Sequence, residues 1–409
     1  MNKELYRNFS DGIYAAAKTY EESTGKRVLL DVMIELTRLC SIKCTHCYIG
    51  DARWTKDPEE MSTEQTKQLL DHLAASGTLW VCFTGGEALM RRDFKEIWLY
   101  AKKKGFILSL FTNATLITEE LADFFLEYPA FNIEVSIYGA TQTTYEKVSL
   151  VKGSHKRFMH GIQNLLDRPQ LKWKLKTVVI QENVHELYAM EELAQEWGVE
   201  FKFDPVINPS VGYGKSGGKA PCASRLDEGT VNRVDLGKAA RKDEALSLMK
   251  SCSKEDDDRL RPEALFGCGA GKNSSYFTAK GEMQMCVLTA NFGGQTISQN
   301  QFSQTKFSKV WDSFGEARKI KLRPDSPCRG CDLALICSNC PGFAFLENGD
   351  AHSSVEYLCR VTHQKAEMLK MPHACNEKHF VHHPKLKGSE DEKHRITPEA
   401  RSRTPELYP

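Results

Sequence analysis

No run of about 18 apolar residues, the minimum for a membrane-spanning helix, occurs anywhere in the 409 residues. The opening residues, Met1-Asn2-Lys3-Glu4-Leu5-Tyr6, lack the apolar stretch of a secretory signal. Charge of either sign is not in excess. A formal net charge of +1 gives no electrostatic support to nucleic-acid or membrane binding, and neither is expected as a partner. Without an export signal, the 14 cysteines are expected to serve as thiolate ligands rather than disulfides, in a reducing, oxygen-poor cytoplasm. Residues 376–409 are nearly free of aliphatic side chains, so the tail from 371 onward is expected to be disordered. It holds His373, His379, His382, His383, His394 and Cys375, read as solvated, with metal or partner binding as the alternative.

What the chain does have is three cysteines in one short loop, Cys40-Ser41-Ile42-Lys43-Cys44-Thr45-His46-Cys47, followed by aromatic Tyr48. Three thiolates at C-x3-C-x2-C spacing can hold three irons of a [4Fe–4S] cluster. With no fourth cysteine nearby, one iron stays open to a small molecule. A structural zinc site or unrelated core thiols are the alternatives. The loop follows Val32-Met33-Ile34-Glu35-Leu36, which reads as a buried strand, so the thiols sit past a strand's C-terminal end, where parallel α/β folds place their chemistry.

From about 30 to 207, strands read at 32–36, 78–84, 106–112, 131–138, 173–180 and 200–207. Their Val, Ile and Phe content is that of strands covered on both faces. Helical patterns separate them. One starts at Ser62 with Gln65 three residues on, a capping box, and turns Leu69, Leu70, Leu73 and Ala74 to one face. The next places Phe94, Ile97, Trp98 and Ala101 together and ends in Lys102-Lys103-Lys104-Gly105, cations and a glycine that suit a helix C-terminus. A later one carries Leu187, Met190, Ala194 and Trp197 before Gly198. Six βα units imply a parallel sheet with right-handed crossovers. The second strand runs into Gly85-Gly86-Glu87, two glycines that admit close backbone approach and one acceptor. The third ends in Thr112-Asn113 and the fourth in Ser136-Ile137-Tyr138-Gly139.

The cysteine loop and the Gly-Gly-Glu after the second strand together resemble the radical SAM superfamily. The resemblance implies an α/β fold with an incomplete (β/α)6 TIM-like barrel over 31–207, preceded by an N-terminal extension, 1–30. It also implies that Cys40, Cys44 and Cys47 hold a [4Fe–4S] cluster whose open iron binds S-adenosylmethionine. Tyr48, Gly85, Gly86, Glu87, Thr112, Asn113 and Ser136 would contact that cofactor, with Glu87 on its amino group and Ser136 near its ribose or carboxylate. A hydroxyl capping a helix is the alternative for Ser136. The implied chemistry is one-electron cleavage to a 5′-deoxyadenosyl radical that abstracts a hydrogen atom. An electron donor such as flavodoxin or ferredoxin would serve it.

A glycine-rich stretch, 208–221, begins a linker to residue 262; it fails the phosphate-loop pattern because Gly218 stands where lysine is required. Seven further cysteines follow: Cys268, Cys286, Cys328, Cys331, Cys337, Cys340 and Cys359. Their order resembles the SPASM extension, over 263–370, which holds two more [4Fe–4S] clusters. The central run here is C-x2-C-x5-C-x2-C, one residue shorter at its end than is usual in the family. The resemblance assigns Cys328, Cys331, Cys337 and Cys359 to one cluster, and Cys268, Cys286 and Cys340 to the other. The fourth position of the latter is an open site, Cys252 or Cys222; paired zinc sites are the rival. Relatives of this kind mostly act on peptides or proteins. The segments Phe203-Asp204-Pro205-Val206-Ile207-Asn208-Pro209 and Cys268-Gly269-Ala270-Gly271-Lys272 resemble those of peptide maturases. The expected function is oxidative modification of a precursor peptide: a thioether or carbon–carbon cross-link, backbone excision or epimerisation. A separate protein would present the leader, since only some 30 residues precede the barrel. Sulfatase maturation, disfavoured by Tyr138 in place of an aspartate, and decarboxylation in a haem pathway are the alternatives. Asp204, Tyr213 and Tyr138 are candidate cavity residues, and Cys82 is read as core packing.

Overall fold

The computed structural model describes residues 3–50, 59–211, 221–250, 263–289, 304–329, 331, 333–334 and 336–371. Tyr213, Cys252, most of the glycine-rich stretch and the tail with Cys375 and its histidines lie outside the described residues.

Eight strands form one sheet: β1 (Asp31–Glu35), β2 (Trp80–Thr84), β3 (Ile107–Thr112), β4 (Asn132–Ser136), β5 (Trp173–Val178), β6 (Glu200–Asp204), β7 (Ser274–Phe277) and β8 (Met283–Gln284). The helices are α1 (Lys3–Thr24), α2 (Thr63–Ala75), α3 (Phe94–Lys103), α4 (Glu119–Glu127), α5 (Gln142–Ser149), α6 (Ser154–Leu166), α7 (Leu187–Glu196), α8 (Glu228–Leu236), α9 (Ala239–Lys250), α10 (Gln304–Arg318), α11 (Pro341–Asn348) and α12 (Glu356–Met368). None of the helices among the described residues is long and apolar enough to cross a membrane. Strands run in the order β6-β5-β4-β3-β2-β1-β7-β8. All neighbours are parallel except β7 and β8.

Each of the six strands read from the sequence is present within a residue or a few at each end, and the alternation of βα units explains why. The Ser62 capping box forms with both of its hydrogen bonds, and a cap of this kind stabilises a helix by about 1 kcal/mol. Phe94, Ile97, Trp98 and Ala101 are buried, and the Trp98 ring packs edge-on against Phe125 at 5.2 Å. The lysine run at the end of α3 is structural, with Lys104 paired to Asp71 at 2.5 Å and Lys102 donating to the Pro129 carbonyl at 3.1 Å.

Two expectations are corrected. The strands are not apolar on both faces. Val32, Ile34, Val81, Phe83, Leu108, Leu110, Ile133, Val135 and Leu175 turn to one face and are at most 1% exposed. The register puts Cys82, Ser109, Asn132, Glu134, Lys174, Lys176 and Lys202 on the other. The helices cover the first face; the second lines the interior, where polar side chains pair with one another, Glu134 with Lys174 at 2.6 Å and Lys176 at 3.1 Å. Cys82 lies among these polar groups, with its thiol pushed up by burial.

The second correction concerns residues 269–318, read as part of the C-terminal module. The chain divides into a first unit of Met1–Arg225, Gly269–Ala290 and Gly294–Arg318, and a second of Leu226–Cys268, Asn291–Gly293 and Lys319–Pro409. In the first, β7 pairs with β1, Met33 opposite Tyr276, and so satisfies the edge of β1. A four-residue strand is too short to show a period in sequence. Gly281, at φ +75°, makes the turn from β7 to β8. In the second unit, α8 and α12 pack together, and the Asn232 side chain donates to the Val361 carbonyl at 2.9 Å.

Candidate active site

The loop after β1 is laced to the loop after β2 by backbone hydrogen bonds, Gly86 N to Thr37 O at 2.8 Å and Glu87 N to Leu39 O at 2.7 Å. A β-carbon at Gly85 would lie 2.3 Å from the Thr37 carbonyl oxygen, and one at Gly86 2.3 Å from that of Arg38. The two glycines are thus required by the approach of one chain segment to another, in addition to lining the cavity beside them. Glu60 holds the cysteine loop from below, accepting from Arg38 N at 2.7 Å and Thr37 Oγ1 at 2.9 Å. On its other side, Lys43 N donates to Ser149 O at 2.8 Å and Thr45 N to Val148 O at 3.0 Å, so α5 carries the loop's far edge.

Cys40, Cys44 and Cys47 share a cavity of about 450 Å³ with Tyr48, Gly85, Gly86, Thr112, Asn113 and Ser136. That volume lies within the range of small-molecule sites. The Asn113 amide reaches Cys40 Sγ at 3.7 Å and Ser41 Oγ at 3.1 Å. Ser136 does not cap a helix: that position belongs to Thr141, which accepts from Thr144 N. Glu87 alone among the expected contacts does not line the cavity. It is 1% exposed, and its oxygens accept from Thr112 Oγ1 at 2.8 Å, Asn113 N at 2.7 Å and Leu89 N at 3.2 Å. Its carboxylate organises the end of β3.

The other wall was less legible. Lys176, Lys202, His46 and Phe111 line the cavity, together with the anticipated Asp204 and Tyr138. Lys176 sits over the Phe111 ring at 3.3 Å, a cation–π contact, and burial lowers its pKa. The alternation Trp173-Lys174-Leu175-Lys176 in β5 was the available signal, since one face of a barrel strand must point inward.

At the end of β1, Glu35 is fully buried. It accepts from Tyr276 Oη at 2.9 Å and lies 3.4 Å from Arg38 Nε. Burial pushes both Glu35 and Glu87 up to about 7. The folded state therefore holds their protons more tightly than the unfolded chain, whose value is 4.5. This contribution to stability is complete below 4.5 and is lost as pH rises through about 7. The melting temperature of the metal-free protein is expected to fall between about pH 5 and pH 8, with a shallower slope in Glu35→Gln. An identical slope in the variant would remove Glu35 from the account.

In the second unit, Cys328, Cys331, Cys337 and Cys359 are electrostatic neighbours. Burial, then the adjoining thiols, pushes Cys328 and Cys359 up to about 12. Cys340 sits apart as N-cap of α11, its sulfur accepting from Phe343 N at 3.2 Å, with Cys268 near it. Cys286 lies in the first unit after β8, and Cys222 in the short turn Pro221–Ser224. Among the described residues no three His, Cys, Asp or Glu side chains converge on a single metal ion. Cysteines of an iron–sulfur cluster need no such convergence, because each takes a different iron. The donor sets, three thiols on one cavity-lining loop and four neighbouring thiols in the second unit, fit such clusters in kind.

Among known proteins, the Radical SAM superfamily model matches residues 34–194. The AdoMet-dependent heme synthase of Nitratidesulfovibrio vulgaris is 24% identical over 344 residues, 80% of this chain and 90% of that protein. Mycofactocin maturase MftC of Mycobacterium tuberculosis is 29% identical over 314 residues, 73% of this chain and 74% of that protein. Streptococcus suis SuiB bound to precursor peptide SuiA superposes with a TM-score of 0.63 at 14% identity, over 87% of this chain and 81% of that one, a likeness of fold.

Proposed function

With residues 34–194 a radical SAM domain, we propose that the chain oxidatively modifies a ribosomally made precursor peptide, using S-adenosylmethionine and three [4Fe–4S] clusters. The observation that carries the reading is the placement of Cys40, Cys44 and Cys47 on one cavity with Gly85, Gly86, Asn113 and Ser136. The 29% identity to a peptide maturase supports the substrate class.

Cys40, Cys44 and Cys47 would hold the first cluster. When bound, the cluster and S-adenosylmethionine supply the one-electron cleavage and hydrogen-atom abstraction that no side chain can perform. The protein's part is to bind, orient and shield. Gly85 and Gly86 present backbone at the cavity wall. Ser136 and Lys176 are register neighbours on β4 and β5, and together offer two donors to a carboxylate. Glu134 holds the Lys176 ammonium at 3.1 Å and so fixes where it points. Met33, Ile42, Ile49 and Val178 make the remaining wall apolar, which keeps water from a reactive species. Cys268, Cys286, Cys328, Cys331, Cys337, Cys340 and Cys359 would hold the other clusters, an electron outlet for a two-electron oxidation. A reductant such as flavodoxin or ferredoxin and a leader-presenting protein complete the system.

Anaerobic co-expression with each short open reading frame beside the gene, read by peptide mass spectrometry, tests this. A cross-link appears as the loss of two hydrogen atoms, with fragmentation placing the bond. An unmodified peptide in every case, with S-adenosylmethionine still cleaved in vitro, overturns the peptide reading. The second reading, decarboxylation of a haem precursor, is favoured by alignment over 90% of a heme synthase. It predicts porphyrin absorbance in the purified protein.

A further inference from the structure

The turn that joins α5 to α6, residues 150–153, lies against the cysteine loop but takes no part in lining the cavity. Lys43 N and Thr45 N, on either side of Cys44, donate to Ser149 O and Val148 O at 2.8 and 3.0 Å. Leu150 follows at once, so its Cα stands no more than about 15 Å from that of Cys44. The turn is fixed from inside. Ser149 Oγ and Ser154 Oγ are 2.7 Å apart, and Gly153 N donates to Glu146 Oε1 at 2.8 Å. Leu150 is in the left-handed region at φ 53°, a position that usually falls to glycine, and its side chain is 57% exposed. Around it the surface is of one sign. From Thr141 to Leu166 the chain has four cations, Lys147, Lys152, Lys156 and Arg157, against one carboxylate, Glu146. All four cations are exposed, whereas Glu146 is half-buried and turned to Gly153 N. Lys43 is exposed where its backbone joins Ser149, and Met159, 37% exposed, lies one turn beyond Lys156.

Like charges around exposed apolar side chains, on a rigid support, suit the docking of a protein of opposite charge. The chain's net charge of +1 makes this a local feature. Position decides the kind of partner. None of these residues lines the cavity, so a substrate seated here would not meet the reacting atoms. An electron delivered here has only the Lys43–Cys44 segment to cross. We propose that the α5–α6 turn, with Leu150 among Lys147, Lys152 and Lys156, is the docking site of an acidic one-electron carrier protein that reduces the cluster held by Cys40, Cys44 and Cys47. One electron leaves the carrier's redox centre and enters the cluster, oxidising the first and reducing the second, and no bond forms or breaks. This rests on the radical SAM reading of that loop.

The test is calorimetric titration of the full-length protein with an acidic flavodoxin and, separately, an acidic ferredoxin. It is paired with anaerobic 5′-deoxyadenosine formation driven by the same carriers or by excess dithionite. Lys147→Glu/Lys152→Glu/Lys156→Glu is expected to weaken binding of the tighter carrier about tenfold or more. It should also abolish the gain in affinity that wild type shows as salt is lowered. Carrier-driven turnover should fall with it, while the dithionite-driven rate stays at the wild-type level. Leu150→Gly keeps the left-handed backbone and should melt no lower than wild type, yet bind the carrier more weakly. Equal affinities in the triple variant and wild type overturn the proposal, as does wild type binding neither carrier at low salt. So does an equal loss of turnover under dithionite, which would make the patch a support of the loop. If wild type cleaves no S-adenosylmethionine even with dithionite, the functional reading fails, and this proposal with it.

Discussion

Replacing Cys40, Cys44 and Cys47 together by alanine is expected to reduce 5′-deoxyadenosine formation to the enzyme-free background. The three thiols line one cavity and share one loop. No other cysteine among the described residues lines that cavity, so none can substitute. Removing the group that performs the chemistry removes the whole acceleration, on the order of 10⁶-fold or more. Iron bound through the C-terminal cysteines should remain, and iron analysis with Mössbauer or absorption spectra would show it. The converse variant, Cys328→Ala/Cys331→Ala, should lose that iron and destabilise the second unit, where Cys328, Cys331, Cys337 and Cys359 adjoin. It should still assemble the cluster in the first. Residual cofactor cleavage by the triple variant would sink the assignment.

Gly86→Ala is expected to be strongly destabilising for a single added methyl group. The added carbon would meet Arg38 O at 2.3 Å, Leu39 O at 2.4 Å and Leu39 C at 2.7 Å. All three are backbone atoms, held by the bonds from Gly86 N and Glu87 N to Thr37 O and Leu39 O. Nothing flexible can yield, so the loops must part, at a cost of about 3 kcal/mol or more. Because the segment that moves carries Cys40, the variant should also bind less iron at the first site. Gly12→Ala is the control. It lies within α1 with nothing within 4 Å of the added carbon, and should stabilise the protein by up to about 1 kcal/mol. Wild-type melting and iron content in Gly86→Ala would show that the loops are not held together as described.

Local rules made much of this legible. The capping box at Ser62, the apolar face of α3 and the βα alternation are decided by neighbours three to five residues apart, and the structure has each of them. The three cysteines were legible for the same reason, since a ligand set on one loop needs no knowledge of the rest of the fold. Glu87 shows where that stops. The sequence marks it as an acceptor next to two glycines; that Thr112 and Asn113 donate to it is decided by a distant strand that brings them there.

The sequence by itself determined the order of the six βα units and the loop on which three thiols stand together, because both follow from local spacing and periodicity. Tertiary structure alone decided the rest. It folded one face of every strand inward, so that Lys176 and Lys202 became cavity walls. It set β7 against β1, and Tyr276 on Glu35 across 241 positions of chain. It brought the Tyr138 and Tyr145 rings together at 5.4 Å. Such contacts join residues with no shared period or spacing. The closing of the sheet chooses them, and each then acquires its chemistry from the burial and the partners that closure imposes.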